Sequence, residues 1–242
     1  MARFFVPFVL NIDTLYSLPD EVVRHVMVRR FKQDEIIELF NGDGFVYQAI
    51  ITSLSKRSVE VLITQSEKIN NESNLHIGLA QSISSGERMD FTLQKCVELG
   101  VNEFWPIQTQ RSIVQLDEKR AQKRVMRWQD IVVSACEQSG RTTVPIVHPI
   151  TTFELFLKHL PQQTKHIMLS VVKKQSLKNY SKELDQNSWC LLVGPEGGLT
   201  ELEEQQAMDK GFEPVTLGPR VLRTETAAIA AVSAMQTLWG DF

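Results

Sequence analysis

Apolar and polar positions follow two different rhythms along this chain. Between residues 35 and 64 they fall in short runs rich in β-branched and aromatic residues, Glu35 to Phe40, Phe45 to Ile51 and Ser58 to Thr64, which is the pattern of strands. The first two runs flank Asn41-Gly42-Asp43-Gly44, whose asparagine and glycines suit positive φ and predict a hairpin. Phe4 to Val6 adds a strand ahead of them, and Pro19-Asp20 opens a short helix carrying Val22, Val23, Val26 and Met27. Short strands at this spacing predict a small β-barrel. Gln65 to Asn74 is polar throughout and reads as a linker, which divides the chain into domains 1–72 and 73–242.

Beyond the linker, strands alternate with helices, and this predicts an α/β domain whose mostly parallel sheet is covered on both faces. Leu75 to Ala80, Phe104 to Ile107, Val144 to Val147, Ile167 to Val172 and Trp189 to Val193 read as strands. Glu87 to Leu99 reads as a helix ended by Gly100, and Asp117 to Gln138 as a long one ended by Gly140. No internal repeat or low-complexity segment interrupts this grammar.

Two glycine-bearing turns then stand close together. In Leu191 to Thr200 an apolar run ends in Gly194-Pro195-Glu196-Gly197-Gly198, and Thr200 with Glu203 spells a capping box that starts a helix. In the second, Val215 to Leu217 is a short strand, Gly218-Pro219 the break, and Thr224 or Thr226 the cap of an apolar helix from Ala227 to Leu238. Both units bare backbone amides and carbonyls, which suits a ligand read through main-chain hydrogen bonds. A tight strand-to-helix connection accounts for either turn taken alone.

Composition narrows the setting. With 242 residues, 43% hydrophobic and 23% charged, the chain has the make-up of an ordinary soluble protein. No apolar run approaches a membrane span and the N-terminus lacks a signal-peptide core, so a cytoplasmic location without membrane partner is expected. Cys96, Cys136 and Cys190 are odd in number and lie among apolar residues, and the five histidines form no ligand spacing, so neither disulfides nor a metal are expected. A net charge of -3 excludes coating of nucleic acid by bulk charge and leaves room for local basic patches. Lys119, Lys123 and Arg127 recur at helical spacing, and Arg24, Arg29, Arg30 and Lys32 cluster in the small domain. Each group is either a solvated face or a contact for an RNA backbone.

Arg220, Arg223 and Glu225 concentrate charge at the start of an apolar helix. The first glycine turn lacks the lysine of a P-loop and the spacing of a dinucleotide fingerprint, which counts against an enzyme of nucleotide phosphates. A non-catalytic RNA-binding protein is the other rival, in which Glu225 would be idle.

Arg3-Phe4-Phe5, Arg88-Met89-Asp90 with Gln94-Lys95 and Glu98 to Val101, Glu137 to Arg141, Gly194 to Gly198 and Leu217 to Ala227 occur in this order. Together they resemble the bacterial small-subunit ribosomal RNA methyltransferases that modify N3 of a uridine, members of the SPOUT superfamily. Cys96-Val97 departs from the family's smaller or more polar residues, which bears on helix packing. The resemblance implies a PUA-like RNA-binding barrel, a methyltransferase domain with a deep trefoil knot, and a homodimer acting on 16S ribosomal RNA or the small subunit. A partner would then cover the apolar face Ile229, Val232, Met235 and Leu238. It also implies S-adenosylmethionine among Gly194, Pro195, Glu196, Gly197, Gly198, Leu217, Gly218, Leu222, Thr226 and Ala227. RNA would meet Arg3, Arg24, Arg29, Arg30, Lys119, Lys123, Arg127 and Arg141. For catalysis, Arg220 and Arg223 would steady the uracil oxygens, with Arg3 and Arg141 as further donors. Glu225 would take the N3 proton, with Glu196 or water as alternatives.

Overall fold

Two compact units divide the chain, Met1–Glu72 with Cys136–Val144, and Ser73–Ala135 with Pro145–Phe242. The structure is a computed structural model that describes residues 2–112, 117–171, 175–180 and 187–242.

The first unit is built on β1 (Arg3–Phe5), β2 (Leu15–Ser17), α1 (Asp20–Val28), β3 (Ile36–Phe40), β4 (Phe45–Leu54) and β5 (Val59–Lys68). Its five strands lie in the order β1-β3-β4-β5-β2. Strand alternation buries Ile37, Leu39, Ile51, Val61 and Ile63 against Val22, Val23 and Val26 of α1, and that burial is the unit's main stabilising term. Met27, expected with the apolar face of α1, is exposed. At the β3–β4 hairpin Gly42 and Gly44 have φ of 95° and 90°. Asn41 does not share their conformation; its side-chain oxygen accepts the Asp43 amide at 3.2 Å and shapes the turn that way. Gln65 to Lys68, read as linker, is strand: it pairs antiparallel with Phe45 to Gln48. Its side chains are exposed, so backbone hydrogen bonds hold a ladder that leaves no apolar trace.

The second unit carries β6 (His76–Ser82), α2 (Gly86–Glu98), β7 (Glu103–Gln108), α3 (Glu118–Ser139), β8 (Ile146–Val147), β9 (Thr151–Thr152), α4 (Phe153–Lys158), β10 (Lys165–Leu169), β11 (Ser188–Val193), α5 (Glu201–Asp209), β12 (Glu213–Val215) and α6 (Thr224–Trp239). The last turn of α3, from Cys136, groups with the first unit. The sheet runs β12-β10-β11-β6-β7-β8, with β9 beside β7, and every pairing is parallel. Strands buried on both faces read as continuous apolar runs, which is why β6 and β11 stood out in the sequence. β9 and α4 did not; Thr152 caps α4 by accepting the Leu155 amide at 3.2 Å. The strand expected at Ile167 to Val172 ends at Leu169, and Val172 lies outside the described residues.

α6 packs on α2 and on β6 and β11. Val232 and Met235, expected on a face awaiting a partner, are fully buried within this unit. Leu238 is 44% exposed and Ile229 partly so. β11 pairs with β6, Val193 opposite Gln81, so the first glycine turn and the start of α2 leave the sheet side by side. In open parallel sheets such a crevice outside the carboxyl ends is where ligands bind.

Candidate active site

Gly194 begins the first turn so close to the turn's own backbone that an added Cβ would stand 3.0 Å from the Leu199 nitrogen and 3.3 Å from the Gly198 carbonyl carbon. Gly198 has φ of 68° and its amide donates back to the Pro195 carbonyl at 2.8 Å. The predicted capping box follows: Thr200 Oγ1 accepts the Glu203 amide at 3.2 Å, and Glu203 Oε2 accepts the Thr200 amide at 2.8 Å. The other oxygen of Glu203 accepts the Gln110 amide at 2.8 Å. Arg111, which no motif in the sequence marks, lies across this turn with Nη1 donating to the Gly197 carbonyl at 2.8 Å.

In the second turn Gly218 has φ of 139°. A cavity of about 290 Å³ opens beside it, lined by Leu217, Gly218, Arg220, Leu222, Thr226, Ala230 and Ala234. Four of the residues expected at a cofactor therefore share one wall, joined by Arg220 and two alanines of α6. Gly194, Pro195, Glu196, Gly197, Gly198 and Ala227 do not line that cavity.

Thr224 joins the turns instead. Its hydroxyl donates to the Gly194 carbonyl at 2.7 Å and accepts from Gln81 Nε2 at 3.0 Å. The helix expected to start with a threonine cap has Arg223 at its N-cap and no side-chain cap bond, because the Thr224 hydroxyl is spent on the neighbouring turn.

Two glutamates flank this junction. Glu196 Oε1 accepts from the Ser85 amide at 3.1 Å, the Ser85 hydroxyl at 3.2 Å and Arg88 Nη1 at 2.9 Å. Burial alone would raise its carboxyl, but hydrogen bonds from its own amide and Ser85, together with Arg88, hold it below the usual range. A carboxylate so stabilised is a weak base. Glu225 Oε1 is 4.0 Å from Arg88 Nε, beyond hydrogen-bond distance, and its Oε2 is buried with no protein donor. Arg220 and Arg223 are exposed, and their guanidinium groups have no hydrogen-bond or ion-pair partner among the described residues.

Within the first unit the expected cations divide. Arg24, Arg29 and Arg30 are exposed, Arg29 lying 5.6 Å from the centre of the Phe4 ring. Arg3 is instead committed to Glu38 at 3.1 Å and to the Gly140 carbonyl. Arg141 is 4% exposed, its Nε 3.0 and 3.2 Å from the two oxygens of Glu72. Guanidiniums held in this way brace their own unit. On α3, Lys119 and Lys123 are exposed, whereas Arg127 is exposed but bonded to Asp90.

Among the described residues no cluster of His, Cys, Asp and Glu could hold a metal, and no helix is long and apolar enough to cross a membrane. The three cysteines are free and buried, and burial pushes each thiol up.

A parallel sheet with its glycine turns, arginines and an acid at the carboxyl edge defines a class, and comparison with known proteins agrees with it. Residues 71–236 match the RNA methyltransferase domain model and residues 18–64 the RNA methyltransferase PUA domain model; the chain belongs to this family of RNA methyltransferases. Its relatives include the ribosomal RNA small subunit methyltransferase E of Buchnera aphidicola from Acyrthosiphon pisum, 33% identical over 100% of this chain and 95% of that one. The crystal structure of a protein of the same name from Neisseria gonorrhoeae, bound to S-adenosyl methionine, is 49% identical, with a TM-score of 0.93 over 100% of this chain and 99% of that one. A Legionella pneumophila protein in complex with the cofactor SAM is 37% identical, with a TM-score of 0.94 over the same shares.

Proposed function

We propose that this protein is an S-adenosylmethionine-dependent methyltransferase of N3 of a uridine in 16S ribosomal RNA, working in the cytoplasm as a homodimer. The observation that carries the reading is the junction of the two turns through Thr224, with a cavity on one side and Glu225 beside it.

The residues present fit the cofactor. Leu217, Leu222, Ala230 and Ala234 offer apolar walls to an adenine and a thioether-like chain, and Gly218 lets the ligand approach the backbone. The cofactor has no phosphate, so no lysine is needed, and a cationic sulfonium is favoured beside Glu196 and Glu225. The other glycines of the first turn and Ala227 complete the site in this reading. When bound, the cofactor supplies an electrophilic methyl group.

The protein's own groups prepare the nucleophile. Uracil N3 holds a proton at neutral pH and its lone pair is delocalised, so it becomes nucleophilic only as the proton leaves. The unpartnered oxygen of Glu225 is the acceptor. Arg220 and Arg223, with donors free, steady the charge that develops on the uracil oxygens. RNA is held by Arg24, Arg29 and Arg30 of the small PUA domain and by Lys119 and Lys123 of α3, whose exposure supports phosphate contacts. The trefoil knot and a dimer interface in the methyltransferase domain belong to the same reading. Leu238 and Ile229 supply its apolar contacts.

Reverse transcription across 16S ribosomal RNA treated with the protein and cofactor tests the reading, since a methyl on N3 blocks base pairing. The expected result is a stop at one uridine that requires S-adenosylmethionine; full-length product with cofactor bound would refute it.

A further inference from the structure

Arg88 stands between two acids contributed by the two glycine turns. It lies in the first turn of α2, with Nη1 2.9 Å from Glu196 Oε1 and Nε 4.0 Å from Glu225 Oε1. Among the described residues it is the one cation within ion-pair distance of either carboxylate. The glutamate side chains are 18% and 13% exposed. In each, the second oxygen is buried without a donor. One guanidinium set between two partly buried carboxylates supplies a counter-charge to both. Arg88 hydrogen-bonds one oxygen of Glu196 and pairs with Glu225 by charge only, so each acid keeps a buried acceptor. A planar fork on a helix also fixes direction, which a flexible ammonium does not.

We propose that Arg88 is a positioning residue for methyl transfer, holding Glu196 and Glu225 in place from α2 while leaving one oxygen of each for hydrogen-bond donors of the substrate or cofactor. The proposal rests on the methyltransferase reading above and adds to it the group that sets the geometry of both acids.

The test measures single-turnover methylation of 16S ribosomal RNA at saturating cofactor, with wild type, Arg88→Gln, Arg88→Lys, Glu225→Gln and the Arg88→Gln/Glu225→Gln pair. Arg88→Gln should lower the saturating rate at least tenfold, with half-saturating RNA changed less than about twofold. The acid limb of its pH profile should move up, because the counter-charge is gone. Arg88→Lys should return the acid limb toward wild type and recover part of the rate. In the Glu225→Gln background, Arg88→Gln should cost less than it does in wild type, since part of its effect runs through that carboxylate. A wild-type rate and pH profile in Arg88→Gln would overturn the proposal, as would full additivity in the double variant. Should Arg88→Gln fail to fold, Arg88→Lys decides, and a wild-type rate there overturns it. Wild type that methylates nothing strikes the methyltransferase reading itself, and that outcome is distinguishable because every arm is then silent.

Discussion

Single atoms decide what the glycines of the two turns can tolerate. At Gly194 the neighbours of an added Cβ are backbone, 3.0 and 3.3 Å away, and backbone cannot swing aside. At Gly197 the neighbours are Arg111 Cδ and Cβ at 3.3 and 3.4 Å, part of a side chain that can. At Gly218 there is open space, but φ is 139°. Gly194→Ala is therefore expected to cost about 1–3 kcal/mol of stability, and Gly197→Ala clearly less. Gly218→Val should lose cofactor affinity tenfold or more through the strained turn. Thermal melts and calorimetry check the order; equal melting temperatures for the two alanine variants would contradict it. The glycines were legible as turns because Gly-Pro and Gly-Gly stand between a strand and a cap. The contacts of Arg88 and Arg111 with the first turn were not legible, since their partners Glu196 and Gly197 are 108 and 86 positions away and only the parallel sheet brings them together.

At the scale of elements, α6 is fastened at its first residue. Thr224→Val removes the hydroxyl and leaves the Gly194 carbonyl and one Gln81 N–H unpaired, for an expected loss of about 1–3 kcal/mol. Cofactor affinity should fall with it, because the two turns lose their tie, whereas Thr224→Ser should retain both. If Thr224→Val binds cofactor like wild type, the tie has no part in the site. The capping box of α5 was readable because its two residues are three apart and bond each other. Thr224 has the same spelling at a helix start but bonds residues 30 and 143 positions away, so local rules predicted a cap where a tertiary bond formed. The same limit applies to Gln65 to Lys68. A strand whose own side chains are exposed joins a ladder through backbone geometry alone, and polarity there mimics a linker.

For the molecule as a whole, charge governs both RNA binding and acid stability. A net charge of -3 leaves attraction to RNA to local cations, so replacing Arg24, Arg30 and Lys123 by glutamine should flatten the slope of log affinity against log salt by about 2, with cofactor binding unchanged. An unchanged slope would make these residues solvated faces. Stability in acid turns on Glu103 of β7, which meets His76 Nε2 at 3.0 Å and His148 Nε2 at 2.8 Å, the latter ring stacked on Trp105. Burial would raise its carboxyl, but the hydrogen bonds and charges of the two histidines outweigh burial and bring it from 4.5 down to about 2. A carboxyl depressed on folding stabilises the native state fully above its unfolded value near 4.5, and that contribution is lost as pH falls toward about 2. Glu103→Gln should thus be less stable than wild type near neutrality, and the gap should close between pH 5 and 2. Urea unfolding across that range measures it; a gap that stays constant with pH would show that the two histidines do not hold Glu103 in its ionised form.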